Sequence, residues 1–228
     1  MINIGDLTID KNEVLRYLGH NMQAIDNELD KLINDTIEEC KTLIAPKYIY
    51  GEYNISLENE KIIFEETSLV LTGKDIIDLL NNSKSAVIMA VTLGGFIDKK
   101  IAFYEKTNLT KALILDSCAT TAVEEVCDII ERHIKEKALE RDLGITFRYS
   151  PGYGDLPLSV QKDFISTLSA DKRIGLNTSE HYLLFPRKSV TAIIGLVPKE
   201  MQSTKRTCEV CKNYKNCSFR KEGANCGS

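Results

Sequence analysis

Apolar positions along the chain change period several times, and each change marks an element. A short strand is expected over residues 2–9. A helix follows, opened by Asp10, with Glu13 three residues later in a capping-box-like pattern, Leu15 and Leu18 on one face and Gly19 closing it. Met22, Ile25, Leu29, Leu32, Ile33, Ile37, Cys40 and Ile44 then form the apolar stripe of a longer helix that ends before Pro46. Over 47–72 the period shifts towards two. Tyr48, Tyr50, Tyr53, Ile55 and Leu57, then Ile62, Phe64, Leu69 and Leu71, predict two or three strands, with Glu58-Asn59-Glu60 as the hairpin turn. A short helix through Ile76, Ile77, Leu79 and Leu80 follows Gly73. Residues 85–93 are almost continuously apolar, the pattern of a strand buried on both faces. They end at Gly94-Gly95 before a helical stretch over 96–104. A diglycine there can present N–H groups to an anion, but it lacks the spacing of a nucleotide fingerprint and reads first as a tight turn.

The longest helix is expected over 109–137, with Ala112, Leu115, Ala119, Ala122, Val123, Val126, Ile129, Ile130 and His133 on its apolar face. Glu124 and Glu125 lie in its middle, where glutamates are usually solvated. Gly144-Ile145-Thr146-Phe147 alternates like a strand, and Leu158, Gln161, Phe164, Ile165 and Leu168 recur at helical spacing. Between them lies Arg148-Tyr149-Ser150-Pro151-Gly152-Tyr153-Gly154-Asp155-Leu156-Pro157, a rigid, non-helical loop. Such loops, held between regular elements, often carry binding groups. Arg148 can take a carboxylate in a two-pronged grip. Gly152 and Gly154 admit close backbone approach, and Tyr149 and Tyr153 offer flat faces with hydroxyl tips. Two further strands are predicted over 180–185 and 189–197, split by Pro186-Arg187-Lys188.

Composition narrows the class. The 228 residues are 43% apolar and 27% charged, as in ordinary globular proteins. The formal charge is −4, yet residues 205–228 hold six Lys/Arg against two Asp/Glu, a local +4 that leaves −8 for residues 1–204. An acidic body argues against nucleic-acid binding. The longest apolar run, 86–97, is broken by Thr92 and two glycines and falls short of the roughly 20 residues a membrane span needs. The first residues lack the basic flank and apolar core of a signal peptide. With an odd cysteine count of 7, a reduced cytoplasmic setting fits better than a disulfide framework. No Walker loop, G-x-G-x-x-G or G-x-S-x-G is present, and His20, His133 and His181 lie far apart in sequence.

The loop Arg148-x-Ser150-Pro151-Gly152-Tyr153-Gly154-Asp155-x-Pro157-Leu158, followed by Phe185-Pro186-Arg187-Lys188-Ser189-Val190-Thr191-Ala192, resembles the activation domain of cobalamin-dependent methionine synthase. The stand-alone, short-chain members of that family are the most similar. The resemblance runs from Arg16-Tyr17-Leu18-Gly19 to about Pro198. It implies an α+β fold, an antiparallel-rich sheet flanked by helices, over residues 1–200; the small cysteine-rich tail over 201–228 lies beyond the resemblance. It also implies a reactivation protein that binds S-adenosylmethionine for reductive methylation of cobalamin on a partner protein. That partner is expected to be cobalamin-dependent methionine synthase or another corrinoid protein, with an electron donor such as a flavodoxin. By the same resemblance, Arg148, Ser150, Pro151, Gly152 and Tyr153 hold the ligand, Glu124 lies near its amino or ribose end, and Thr92 and Leu93 border the cleft. Arg187 and Lys188 replace the small residues of the fused methionine synthases. A basic turn there can meet corrin side-chain oxygens, meet an acidic partner, or stay solvated. The fused domains also place a tyrosine where this chain has residues 199–202, which keeps open a non-catalytic adaptor or sensor of S-adenosylmethionine.

After Pro198 the composition changes. Cys208-x2-Cys211-x5-Cys217-x8-Cys226 stands among Lys, Asn and Gly, with Val210, Tyr214 and Phe219 the only bulky apolar residues. Too little apolar surface is present for a core, and four thiolates on one metal would supply the missing constraint. Zinc and an iron–sulfur cluster both suit four cysteine ligands.

Overall fold

The computed structural model describes residues 7–20 and 24–202. The helix pattern resolves as α1 (Lys11–Tyr17) and α2 (Asn27–Leu43). Asp10 caps α1 through the Asn12 N–H at 2.7 Å, and Asp26 caps α2 through the Leu29 N–H at 2.7 Å. Glu13, three residues after the cap, accepts from Arg16 Nε at 2.7 Å. Val14 rather than Leu15 or Leu18 is the buried residue of α1. The expected strand over 2–9 is not borne out where it is described: residues 7–9 are not strand, and 1–6 lie outside the described residues. Met22 lies outside them as well.

The hairpin forms as read. β1 (Lys47–Glu58) and β2 (Lys61–Phe64) pair antiparallel, with Glu58 opposite Lys61. The two residues between them, Asn59 and Glu60, have φ of 49° and 60°, the pair of positive values a type I′ hairpin demands. β3 (Val70–Thr72) pairs with β2, and α3 (Lys74–Leu80) follows. β4 (Ser85–Thr92) is buried at every position, as its unbroken apolar run requires. α4 (Gly95–Thr107) and α5 (Leu109–Leu139) come next, then β5 (Leu143–Ile145), α6 (Val160–Leu168) and α7 (Ala170–Arg173). A hairpin of β6 (Asn177–Thr178) and β7 (Leu184–Phe185) precedes β8 (Ser189–Pro198). The main sheet has six strands in the order β3-β2-β1-β4-β8-β5, with β5 antiparallel to β8.

The strand expected over 180–185 is instead one short arm of that hairpin. Ser179 Oγ accepts the N–H groups of His181 and Leu183 at 3.2 and 3.1 Å, turning the chain before a strand can begin. Tyr182, Leu183 and Phe185 are consequently exposed rather than buried.

The chain divides into two compact units. The first comprises the described residues up to Ile49, Ala90–Arg132 and Ser169–Val190; the second comprises Tyr50–Met89, His133–Leu168 and the described residues from Thr191. The first unit contains α1, α2, α4, most of α5 and the β6–β7 hairpin. Its core includes Ile33, Ile37, Ile97, Leu115, Ala119, Ala122 and Val126. Most of the sheet belongs to the second unit, with α3 and α6, around Phe64, Leu71, Ile88, Met89, Phe164 and Ile194.

Candidate functional site

In the second unit, β5 leads straight into the glycine-rich loop. Its ladder with β8 runs in register to Ile145 opposite Leu196, and Tyr149 then pairs with Ile193. The β5 side thus carries one residue more than the β8 side, a bulge. Thr146 marks its start, donating its N–H to the Gly195 carbonyl at 3.0 Å while its Oγ1 accepts the Gly195 N–H at 2.8 Å. Bulges re-aim the side chains that follow them, and Arg148 lies within this one. It is half-buried, with Nη1 shielded from solvent.

Beyond Tyr149 the chain folds on itself. Tyr153 N–H donates to the Ser150 carbonyl (3.1 Å), Gly152 N–H to the Leu156 carbonyl (2.9 Å) and Leu156 N–H to the Tyr153 carbonyl (3.0 Å). Pro151 and Leu156 are buried beneath the turn, whereas Gly152 and Tyr153 face solvent, Tyr153 being 46% exposed. Gly152 has φ of 91° and Gly154 of 53°, so both occupy the left-handed region. The Tyr149 and Tyr153 rings meet edge to face, with centroids 6.0 Å apart. Gln161 is buried beside Thr191, Oγ1 to Oε1 3.4 Å. Arg148, Ser150, Pro151, Gly152 and Tyr153 are therefore brought together in one compact loop. It presents a half-buried guanidinium, a backbone open at Gly152 and an aromatic face.

Glu124 lies in the first unit, on α5. It is half-buried near Tyr17 of α1, whose phenol is raised above its ordinary range by burial and by the Glu124 carboxylate. Arg16 sits 4.3 Å over the Tyr17 ring and pairs with Glu13 at 2.6 Å. Glu125 turns the other way and pairs with exposed Arg132 at 3.2 Å. Of the two mid-helix glutamates, Glu124 is thus the one beside another half-buried polar group. Sequence periodicity did not single out Tyr17 as its neighbour.

The 186–189 turn, also in the first unit, is occupied within the protein. Lys188 Nζ contacts Asp116 Oδ1 at 2.9 Å and Thr120 Oγ1 at 2.8 Å on α5, and its side chain is only 13% exposed. That corrects the reading of Lys188 as a solvated base or as one offered to a partner. Arg187 is exposed, and its backbone N–H donates to Asp98 Oδ2 at 2.6 Å. Ser189 Oγ bonds both the Pro186 carbonyl (2.7 Å) and Thr92 Oγ1 (2.8 Å). Thr92 and Leu93 are buried; the Leu93 N–H goes to the Lys188 carbonyl at 2.9 Å, so both serve the strand end. Gly94, at φ 82°, makes the turn, its N–H donating to Thr92 Oγ1 at 3.2 Å.

Cys208, Cys211, Cys217 and Cys226 lie outside the described residues. Among the described residues no cluster of three or more His, Cys, Asp or Glu is placed to hold a metal, and no helix is long and apolar enough to cross a membrane. Cys40, Cys118 and Cys127 are buried free thiols. Burial pushes Cys40 and Cys118 up to about 12, so neither is a reactive thiolate.

No family model matches the chain. No curated protein matches it either. Among solved structures it is similar to a crystal structure of the MetH reactivation domain bound to AdoHcy, with a TM-score of 0.63 and 14% identity, over 90% of this chain and 75% of that one. The fold is accordingly the mixed helix and antiparallel-sheet fold of that reactivation domain.

Proposed function

We propose that this protein binds S-adenosylmethionine and reactivates a cobalamin-dependent methionine synthase. One observation carries the reading: the Arg148–Tyr153 loop joins a half-buried guanidinium, an open glycine backbone and an exposed aromatic ring. It does so in a fold whose solved counterpart was crystallised with AdoHcy, the species left when S-adenosylmethionine gives up its methyl group. These groups fit a zwitterionic, adenosyl-bearing ligand. Arg148 takes the carboxylate in a charge-assisted pair. The Ser150 backbone, Pro151, Gly152 and Tyr153 line the adenosyl end. Cobalamin, carried by the partner, supplies the cobalt that receives the methyl group, and an electron donor such as a flavodoxin supplies one electron. This chain's task is to hold the sulfonium in a fixed orientation, which lowers the entropic cost of the transfer.

Calorimetric titration with S-adenosylmethionine tests the binding. A charge-assisted bidentate pair contributes about 1.5–3 kcal/mol, so Arg148→Ala weakens affinity at least about tenfold. Equal affinities would remove Arg148 from the site. The activity is tested by following labelled methyl from S-adenosylmethionine onto the corrinoid of oxidised methionine synthase, with return of methionine formation. Binding without transfer supports an adaptor or sensor, and transfer only to another corrinoid protein changes the partner and keeps the chemistry.

In this reading Cys208, Cys211, Cys217 and Cys226 hold one zinc ion or iron–sulfur cluster. All seven thiols of the native protein then resist a thiol reagent, because three are buried. Removing the metal exposes the tail thiols alone. Four freely reactive thiols in metal-free protein as purified would refute the assignment.

A further inference from the structure

The loop motif contains Asp155, which the ligand reading leaves without a task, and the structure gives it one. Helix α3 begins after Gly73, which has no side chain with which to cap it. The missing cap comes from 81 residues along the chain: Asp155 Oδ2 accepts the Lys74 N–H at 2.7 Å, and Oδ1 accepts the Asp75 N–H at 3.2 Å. The fit is reciprocal. A Cβ on Gly73 would come within 2.7 Å of Asp155 Oδ1, and one on Gly154 would run into Asp75 Oδ2 and the Tyr149 hydroxyl. That hydroxyl also bonds the Tyr153 carbonyl at 3.0 Å and lies 3.4 Å from Asp75 Oδ2. The first turn of α3 therefore grips the loop at Asp155, at Gly154 and, through Tyr149, at the Tyr153 peptide.

The other end of the loop is held by β8. Tyr149 and Ile193 exchange both backbone hydrogen bonds at 2.9 Å. Between these two anchors lie Ser150, Pro151, Gly152 and Tyr153, the residues assigned to the ligand. We infer that Asp155 is a positioning residue: its carboxylate on the N-terminus of α3 latches the 150–154 loop in its ligand-holding shape. This inference rests on the proposed S-adenosylmethionine site and states what keeps that site in shape before the ligand arrives.

The test compares Asp155→Ala and Asp155→Asn in the full chain, well below the melting temperature of either. Hydrogen exchange over residues 74–80 and 149–156 reads the latch without any ligand, and titration with S-adenosylmethionine reads its consequence. Asp155→Ala speeds exchange in both segments and weakens binding by about tenfold, the scale of losing one helix cap. Asp155→Asn, which keeps one acceptor oxygen for the shorter bond from the Lys74 N–H, restores most of both, to within about threefold. A merely structural role would lower the melting temperature of the alanine variant and leave affinity unchanged at low temperature. Unchanged exchange over 149–156, or affinity within about twofold of wild type in Asp155→Ala, overturns the inference. If Asp155→Ala does not fold, Asp155→Ser, whose shorter side chain cannot reach both N–H groups, reads the same two quantities. If wild type fails to bind S-adenosylmethionine, the functional reading falls, while the exchange data still decide the latch.

Discussion

The 149–155 loop of the second unit and the 186–189 turn of the first are built from similar parts: a proline, a basic side chain or neighbour, and hydroxyl groups. They are used in opposite ways. In the 186–189 turn nearly every polar group is committed within the protein. Lys188 lies on Asp116 and Thr120, Ser189 on Thr92 and the Pro186 carbonyl, and the Arg187 N–H on Asp98. The 149–155 loop divides its residues. Tyr149 and Asp155 bond to the first turn of α3, Asp155 from an exposed position, whereas Gly152 and Tyr153 face solvent. A turn whose polar groups nearly all find internal partners is structure. One that spends some residues on rigidity and leaves others exposed is the one that the proposed function assigns to the ligand. That distinction, rather than residue type, separates the solvent-facing Gly152 and Tyr153 from Lys188.

The harshest way to break the comparison is Gly154→Ala. The position requires φ of 53°, and the added methyl would meet Asp75 and Tyr149. Left-handed strain and overpacking together cost about 2–4 kcal/mol. Urea denaturation should show that loss, with S-adenosylmethionine binding abolished. A variant as stable as wild type would mean that the loop is not held against α3.

A crossed pair of substitutions then separates the two regions. Lys188→Met removes a charged contact on a side chain that is 13% exposed, although its partner Asp116 is 41% exposed and the pair is partly screened. The loss is about 1–2 kcal/mol, or a melting temperature lower by about 2–6 °C, with ligand affinity unchanged. Arg148→Ala should instead lower affinity at least about tenfold. If Lys188→Met weakens S-adenosylmethionine binding as strongly as Arg148→Ala, the division between a structural turn and a presenting loop fails.

Much of the fold was legible because local chemistry dictates it. Asn59-Glu60 between alternating strands makes a hairpin, and the unbroken apolar run of β4 makes a strand covered on both faces. The 180–185 segment misled because Tyr182, Leu183 and Phe185 read as a strand and are in fact exposed around a turn that Ser179 holds. For the site, the loop was visible as a motif, and its internal division was not. Nothing near Asp155 in sequence announces that its partners are the N–H groups of Lys74 and Asp75, and nothing near Lys188 announces Asp116. Long-range pairing decides which residues of a motif are committed. Sequence spacing alone cannot order Glu124 and Glu125 either, whereas Tyr17 and Arg132 on their two sides do.

The smallest effect concerns two surface carboxylates that repeat the contrast, one in each unit. Glu39 is drawn inward: burial opposes its charge, but Lys111 at 2.7 Å and the Tyr104 hydroxyl at 2.7 Å outweigh that and hold it below its ordinary 4.5. Glu52 faces outward, and the two-pronged grip of Arg141 at 2.7 and 2.9 Å holds it below 4.5 as well. A carboxyl whose folded value is depressed stabilises the protein above its unfolded value and loses that contribution as pH falls through the folded one. Both therefore add to acid sensitivity below about pH 4.5, each by no more than about 0.5 kcal/mol after screening by solvent. Glu39→Gln and Glu52→Gln should each flatten the fall in stability between pH 4.5 and lower values. Salt tells them apart. Glu52 and Arg141 are 37% and 52% exposed, against 21% and 23% for Glu39 and Lys111. In 1 M salt, where the screening length is about 3 Å, the difference between Glu52→Gln and wild type should therefore shrink the more. Equal shrinkage for both would show that the Glu39 cluster is as open to solvent as the Glu52 pair, and that burial does not set it apart.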